Sequence, residues 1–578
     1  MTTSSLLRRY FSIVLLALFA LPGALAQAEE NPFAPLESLP VQEGGRRKPF
    51  YTFAVETMQS VTGRATYRDG DTSYSAMEMV FELWTRPEAW RERPFILVNY
   101  KPLRREVGLD EGRKLFSIKE LLDSAAFQAK AAEVAQKQAD PAKPKLTNAE
   151  TEVRDINQRL AIAHGLLSGA AFRLVPDPAD KGGSRWLTPA QAATAYPGGV
   201  GEAIAGSTQK LLQAFAAKDW TAFAAQGEAL SGALGQLEAV VPGYTHASSV
   251  MELETFYQKF HPFRWAWIAY ALAAITLWLT TLAARGTGYR LAWGFVAIGA
   301  ALQLFGFVAR VIIAGRAPVT NMYESVIWVA FGVIFFAMIL EAIYRARIIF
   351  LGATPVAVVA LILADTQPTV LRPQLDPIAA VLRDNFWLST HVTSITLSYA
   401  AFALALGVGH IILFKVLGGR KISPALYNYL YRSLQIGVLL LAIGTLLGAV
   451  WANYSWGRFW DWDPKETWAL IALLGYLALL HGRIAGWWKG FGLAIGSVVA
   501  FQSVIMAWYG VNFVLGEGLH SYGFGTGGVG YVATYVAAEL LFVAVVLVRQ
   551  KLQSSKAENR GKKASAPSLD EADGASAR

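Results

Sequence analysis

The chain of 578 residues contains no cysteine. That absence excludes a structural disulfide, a CxxC redox pair and a thiolate ligand to iron. Any thiol chemistry the chain takes part in must use sulfur from another molecule. Charge is also scarce: Asp, Glu, Lys and Arg make up 16% of the residues, against 54% hydrophobic. This balance signals a polytopic membrane protein with some soluble mass. In a soluble protein, the net charge of +9 would suggest a nucleic-acid partner. Here Lys and Arg gather in loops between apolar runs and in the tail, so the charge reports membrane orientation and no nucleic acid is expected. No nucleophile constellation and no metal-hydrolase motif is present, so no catalytic side-chain nucleophile is assigned.

Met1–Ala26 reads as a secretory signal. Arg8 and Arg9 form the charged start, Phe11–Leu21 the apolar core, and Ala24-Leu25-Ala26 a small-residue cleavage site. The apolar run is short for a membrane span, which favours cleavage over an uncleaved anchor. Residues 27–260 hold no apolar run long enough to span and are expected to form a mainly α, partly β soluble domain. Strand-like alternation occurs near Ala76–Leu83 and an apolar strand-like run near Pro94–Tyr100. Helical patterns dominate from Ser117 to Ala239, with a turn at Asp140-Pro-Ala-Lys-Pro144. His164 and His246 read as surface residues. Residues 261–550 are expected to form an all-α bundle with nine spans, near 264–283, 290–310, 322–343, 348–365, 387–413, 433–452, 467–485, 492–514 and 529–548.

Loop charge sets the orientation. Arg285 and Arg290, Arg345 and Arg347, Lys415 to Arg432, Arg483 and Lys489, and the tail from Arg549 all fall on one side, which should be cytoplasmic. The soluble domain then lies on the outer face of the cytoplasmic membrane. Residues 551–578, rich in Ser, Ala, Lys and Glu, read as a disordered cytoplasmic tail.

The most informative stretch lies on the outer side. Five of the 18 tryptophans fall between Trp451 and Trp468. Asp461, Asp463, Pro464, Lys465 and Glu466 sit among them, so this is no lipid-buried helix. An aromatic shelf at a membrane surface suits a large, flat, mostly apolar ligand with polar edges, such as haem. The plainer alternative is a belt of tryptophans anchoring helix ends, but belts spread one or two per end. His391 and His520 fall on the same face, on either side of the shelf in sequence. A pair of histidines beside an aromatic wall is the pattern of a bis-His haem site, each giving a neutral imidazole nitrogen to iron.

The segment Trp456-Gly457…Trp460-Asp461-Trp462-Asp463-Pro464-Lys465-Glu466-Thr467-Trp468 resembles the tryptophan-rich "WWD" signature of haem-handling proteins in cytochrome c biogenesis. Its closest resemblance is to the CcsA/ResC branch of System II. That branch also carries segments like Gly516–Gly523 with His520, His391-Val392 followed by Leu397-Ser398-Tyr399-Ala400, His481-Gly482-Arg483, and Val319–Ser325. The five matches occur in the family's order and cover residues 260–550. The segment Leu39–Thr52 resembles a stretch that precedes the CcsA part in some fused System II synthetases.

The resemblance implies a cytochrome c haem lyase (synthetase) subunit, active in a complex. It would bind haem b and promote thioether attachment to the CxxCH segment of apocytochrome c. The implied haem-binding residues are His391, His520, His481, Trp456, Trp460, Trp462, Asp463 and Trp468. His391 and His520 would ligate an outer haem and His481 an inner one. The inner ligand's partner lies in the CcsB portion of the family, which this chain lacks. A CcsB-like membrane subunit and a thiol-reducing protein are therefore the expected partners. His410, at similar depth, is an alternative to the CcsB histidine, though a local role at a helix end is the stronger reading. Glu539 lies mid-span and is expected to line a polar cavity. Asp463, Lys465 and Glu466 could meet haem edges or cap the following helix. Two rival readings stay open: a haem exporter or chaperone without attachment chemistry, and a System I WWD-type subunit.

Overall fold

The computed structural model describes residues 31–142, 144–180, 183–246, 248–280, 286–378, 384–515 and 528–564. The signal segment and the Gly516–Gly523 segment with His520 lie outside the described residues.

The described residues before Ser249 include no helix long and apolar enough to cross a membrane; they form a set of helices joined by four two-stranded antiparallel pairings. Its core gathers Phe50, Phe53, Phe81, Phe172, Phe215 and Phe223, with Trp84 stacked on Phe172 at 3.8 Å. The run near Pro94–Tyr100 pairs as a short strand, Ile96–Leu97 against Leu115–Phe116. The run near Ala76–Leu83 does not. It is a helix, Ala76–Thr85, opened by a capping box between Ser75 and Glu78. Met77, Val80 and Phe81 also satisfy the i, i+3, i+4 spacing, so the apparent alternation is one face of a helix. The Asp140–Pro144 turn joins helices Ala125–Ala139 and Asn148–Leu167 as expected. His164 is exposed, but His246 is half-buried and hydrogen-bonded to Ser231 at 3.0 Å. Burial holds its imidazole below the usual histidine range.

Nine helices among the described residues are long and apolar enough to cross a membrane. They are α1 Ser249–Thr280, α2 Thr287–Ala314, α3 Met322–Tyr344, α4 Ile348–Thr366, α5 Ser389–Leu417, α6 Pro424–Trp456, α7 Pro464–Ile484, α8 Gly490–Leu515 and α9 Val529–Ser555. The last helix continues to Ala564, well into the stretch expected to be disordered. Apolar side chains and positive charge alone do not prevent a helix from propagating past the bilayer edge.

α1 to α4 pack as one group and α5 to α8 as another, with α5 touching both and α9 besides. In its most apolar window 67% of α5 is buried, the highest share of the nine. Close approach depends on small residues. A Cβ on Gly407 would lie 2.2 Å from the Gly352 carbonyl oxygen, and one on Gly437 would lie 2.4 Å from the Phe402 ring. Such stripes let membrane helices meet backbone to backbone where no hydrophobic driving force acts between them. α6 is 33 residues long, so at 1.5 Å per residue it spans about 50 Å and outruns a hydrocarbon core of ~30 Å. Its final turns, with Trp451 and Trp456, therefore rise toward the polar side.

The part of the chain before α1 is locked to this bundle by charge. The hairpin Pro40–Glu43/Arg46–Pro49, which lies within the Leu39–Thr52 segment, rests against α1. Arg46 grips Glu254 with two hydrogen bonds of 3.0 and 2.8 Å, and Lys48 bridges Glu43 and Glu56 at 2.5 and 2.6 Å. Deeper, Arg310 of α2 and Glu324 of α3 form an ion pair at 2.7 Å, both 1% exposed. Arg310 also donates to the Tyr257 hydroxyl and the Pro373 carbonyl, and Glu324 accepts from Thr320.

Breaking that pair should be severe. Arg310→Met leaves Glu324 buried and uncompensated, with an expected loss of about 3–5 kcal/mol. Replacing both partners, Arg310→Met with Glu324→Leu, should recover most of it. Thermal unfolding in detergent of the three proteins checks the expectation, and equal losses in the single and double variants would refute it.

Candidate functional site

The expected site residues fall unequally around one cavity. Its wall combines the Val319–Ser325 segment, His391 to Tyr399 of α5, Thr445 to Trp451 of α6, Trp456 to Trp460, Lys465, Glu466 and Ala469 of α7, and Trp508 and Asn512 of α8. It encloses about 170 Å³, more than the ~150 Å³ hole that admits a benzene-sized guest in a protein core.

His391 sits in a single wide turn, Leu388–Val392, at the start of α5. Such π turns are frequent at functional sites. Its Nδ1 lies 2.8 Å from the Gly444 carbonyl of α6. A carbonyl only accepts, so Nδ1 carries the hydrogen and Nε2 carries the lone pair of the neutral ring. This is the arrangement that fixes the tautomer and orientation of a ligating histidine. The ring packs edge-on against Trp451 at 5.6 Å and 61°. Gly448 makes room, because a Cβ there would lie 2.5 Å from His391 Cε1. Gly444 and Gly448 form a Gly-x-x-x-Gly step that lets α5 lie against α6.

The tryptophan segment divides. Trp456 and Trp460 line the cavity. Trp462 is 70% exposed, its backbone in the left-handed region at φ +57°, and it meets Trp460 edge-on at 5.9 Å. Trp468 packs against the membrane core rather than the cavity. Asp463 is buried as the N-cap of α7 and accepts from the Lys465 amide at 2.8 Å, the capping role weighed for it. Glu466 accepts from the Asp461 amide at 2.9 Å and shapes the loop.

Of the other wall residues, Trp451 and Tyr399 fell within stretches the sequence marked but carried no assigned role, and Trp508 and Asn512 were not singled out. Trp508 donates to Ser325 at 2.8 Å, fastening α8 to the start of α3. The signal available was position: each lies in the half of its span nearest the tryptophan segment. The part of the chain before α1 reaches this end of the bundle as well, for Lys145 donates to the Leu515 carbonyl at the end of α8.

His481 lies elsewhere. It is exposed on the outside of the bundle near the far end of α7, with Nδ1 donating to Leu477 at 2.7 Å. His410 is engaged at both nitrogens: Nδ1 with the Leu406 carbonyl and Nε2 with Glu539, each at 2.9 Å. That pairing gives Glu539 a partner in place of an open polar cavity, and it leaves His410 no nitrogen for iron.

The wall also fits a flat ligand with anionic edges. The indole N–H groups of Trp451 and Trp460 are buried with no partner among the described residues. Buried donors are ordinarily satisfied, so an acceptor belongs there. Lys465 adds a cation to the same wall.

The close contact at Gly448 yields a test. Gly448→Ala should displace the His391 ring or part α5 from α6, at an overpacking cost of about 1–3 kcal/mol. Gly475→Ala on α7, where nothing lies within 4 Å of the added carbon, should be neutral or stabilising. Thermal unfolding of both variants compares them, and equal stability would remove the contact from the argument.

The cytochrome c assembly protein family matches this chain over residues 319–520, which contain most of the cavity wall. Protein NrfI of Wolinella succinogenes is 27% identical over 498 residues, covering 83% of this chain and 53% of its own length. The chain thus spans about half of that relative. Cytochrome c biogenesis protein CcsA of Prochlorococcus marinus subsp. pastoris is 36% identical over 254 residues, covering 39% of this chain and 79% of that protein.

Proposed function

The chain belongs to the CcsA/ResC family of cytochrome c assembly proteins, and from that membership we propose that it is a haem lyase subunit which holds haem b for covalent attachment to apocytochrome c. The observation that carries the reading is the meeting of His391, with its lone pair on Nε2, and the indoles of Trp451, Trp456 and Trp460 at one cavity. Haem is the substrate in this reading. His391 supplies one axial nitrogen, and the Gly444 carbonyl keeps its ring in register. The three tryptophans form the stacking wall. Lys465 and the indole N–H groups of Trp451 and Trp460, which have no partner among the described residues, are suited to the carboxylate edge. His520 is proposed as the second ligand.

In the joining step, each CxxCH thiol adds across one vinyl group. The S–H bond and the vinyl π bond are replaced by a carbon–sulfur and a carbon–hydrogen bond, so no atom leaves. The chain offers no cysteine and needs none, because the apocytochrome brings the sulfur. Its own contribution is to hold two reactants in attack geometry, which can be worth ~7–11 kcal/mol of barrier. A separate thiol-reducing protein keeps the sulfurs as thiols. The soluble domain and the cavity lie on the outer face of the cytoplasmic membrane, and the basic loops lie inside.

Loss of the axial nitrogen is the direct test. The purified protein should carry b-type haem with a six-coordinate, low-spin spectrum. His391→Ala should lower occupancy or open a position that added imidazole refills. Trp456→Ala with Trp460→Ala should reduce cytochrome maturation more than tenfold, whereas the exposed Trp462→Ala should reduce it far less. A wild-type spectrum in His391→Ala would refute the ligand assignment. Haem binding without any thioether product would favour the exporter reading.

His481 supports a second expectation. Its ring faces out of the bundle, where a CcsB-like subunit could bring the opposing histidine, and His410 is committed to Glu539. Expressed alone with apocytochrome and an external reductant, in a host lacking cytochrome c maturation, the chain should give no holocytochrome until a CcsB-like partner is added. Product from the chain alone would refute the need for a partner.

A further inference from the structure

The pair formed by His410 of α5 and Glu539 of α9 lies within the membrane-spanning part of both helices and plays no part in the haem site. Its geometry fixes a proton count. Nδ1 faces the Leu406 carbonyl at 2.9 Å, and a carbonyl only accepts, so Nδ1 bears a hydrogen. Nε2 then meets Glu539 Oε2 at 2.9 Å. In a neutral imidazole beside a carboxylate both atoms would present lone pairs. The contact therefore needs one proton, either on Nε2 or on Oε2. In both forms the pair is neutral overall, the least costly state for two ionisable groups in hydrocarbon. Removing that proton leaves a buried negative charge and two opposed lone pairs.

The rest of α9 gives this contact unusual weight. Only 11% of its most apolar window is buried, against 28% for the next lowest helix, and it packs on α5 and α8 alone among the membrane helices with more than marginal contact. Apolar side chains gain little by leaving lipid for protein, so polar contacts must supply much of its docking. The Tyr535 hydroxyl lies in the neighbourhood of Glu539 and of Gln502 of α8. The Tyr476 hydroxyl of α7 and Gln502 Oε1 are buried close by with no partner among the described residues. Phe542 stacks on the His410 ring at 5.4 Å and 17°. The next charged side chains along the two helices are Lys415 and Arg549, both toward the end assigned to the cytoplasm.

We propose that His410 and Glu539 form an intramembrane proton-binding site, and that the bound proton docks α9 against α5. The proton is held at neutral pH and lost as pH rises, whereupon the contact breaks and α9 separates from the bundle.

The cysteine-free chain suits a direct measurement. Nitroxide labels are placed on the full-length protein in lipid nanodiscs through Lys421→Cys, in the exposed turn after α5, and Leu552→Cys, 57% exposed at the far end of α9. Pulsed electron resonance then reads the distance between them from neutral to alkaline pH, with no haem required. One narrow distance is expected at neutral pH and a longer, broader distribution at alkaline pH, reversibly. Glu539→Gln places an amide N–H opposite Nε2 and should stay narrow throughout. His410→Ala should be broad throughout. A distribution in the parent protein that does not change with pH, or a transition that survives in Glu539→Gln, would overturn the proposal. Should His410→Ala fail to fold, the Glu539→Gln comparison decides alone.

Discussion

The half of the bundle that carries the cavity depends on the buried Arg310–Glu324 pair. Two charges at 1% exposure are costly to remove from water, and their attraction repays that cost only when every remaining donor and acceptor is met. Here they are met by Tyr257 of α1, the Pro373 carbonyl of the loop before α5 and Thr320, while the Asn321 side chain caps α3 by accepting from the Glu324 backbone amide. The pair thereby fixes where the Val319–Ser325 segment stands, and that segment is one wall of the cavity. Arg46 and Glu254 repeat the device where the N-terminal hairpin meets α1. Charge is scarce in this sequence, and much of what lies buried here serves as joinery.

The site needs the joints because its own chemistry is sparse. One oriented histidine, a few indoles and one lysine make a wall whose shape and charge suit a flat ligand with an anionic edge. The fine placement comes from backbone. Gly444 offers the carbonyl that sets the His391 tautomer, and Gly448 leaves the gap the ring occupies. The length of α6 then lifts Trp451 and Trp456 beside that ring. Three properties of one helix, two glycines and an overrun of the bilayer, thus supply much of the wall.

The spans were legible because long apolar runs have few alternative explanations. So was the tryptophan segment, whose density no helix-anchoring role requires. What the sequence hid was direction. Trp456, Trp460, Trp462 and Trp468 look equivalent as letters, yet a left-handed backbone at Trp462 and the start of α7 at Pro464 send them to the cavity, the surface and the core. The strand-like reading of Ala76–Leu83 failed for a related reason: a short apolar run fits two periods, and the capping box at Ser75 decided between them. The pairing of His410 with Glu539 lay beyond reach, since the two are 129 positions apart and nothing local ties them.

His391, His410 and His481 show how far local chemistry goes before environment takes over. His391, His410 and His481 each give the Nδ1 hydrogen to a backbone carbonyl, so each presents Nε2. In His410 and His481 that carbonyl is four residues back in the same helix, an arrangement any helical histidine can reach. In His391 it belongs to another helix, which ties the ring's orientation to the packing of α5 on α6. What Nε2 then meets differs. For His391 the ring stands in a wall of indoles. For His410 a carboxylate closes the site and demands a proton. For His481 the ring looks out of the bundle toward whatever binds there. A single tautomer can therefore face an aromatic wall, a carboxylate or the outside of the bundle, and the difference is made by what packs on the other side of the ring.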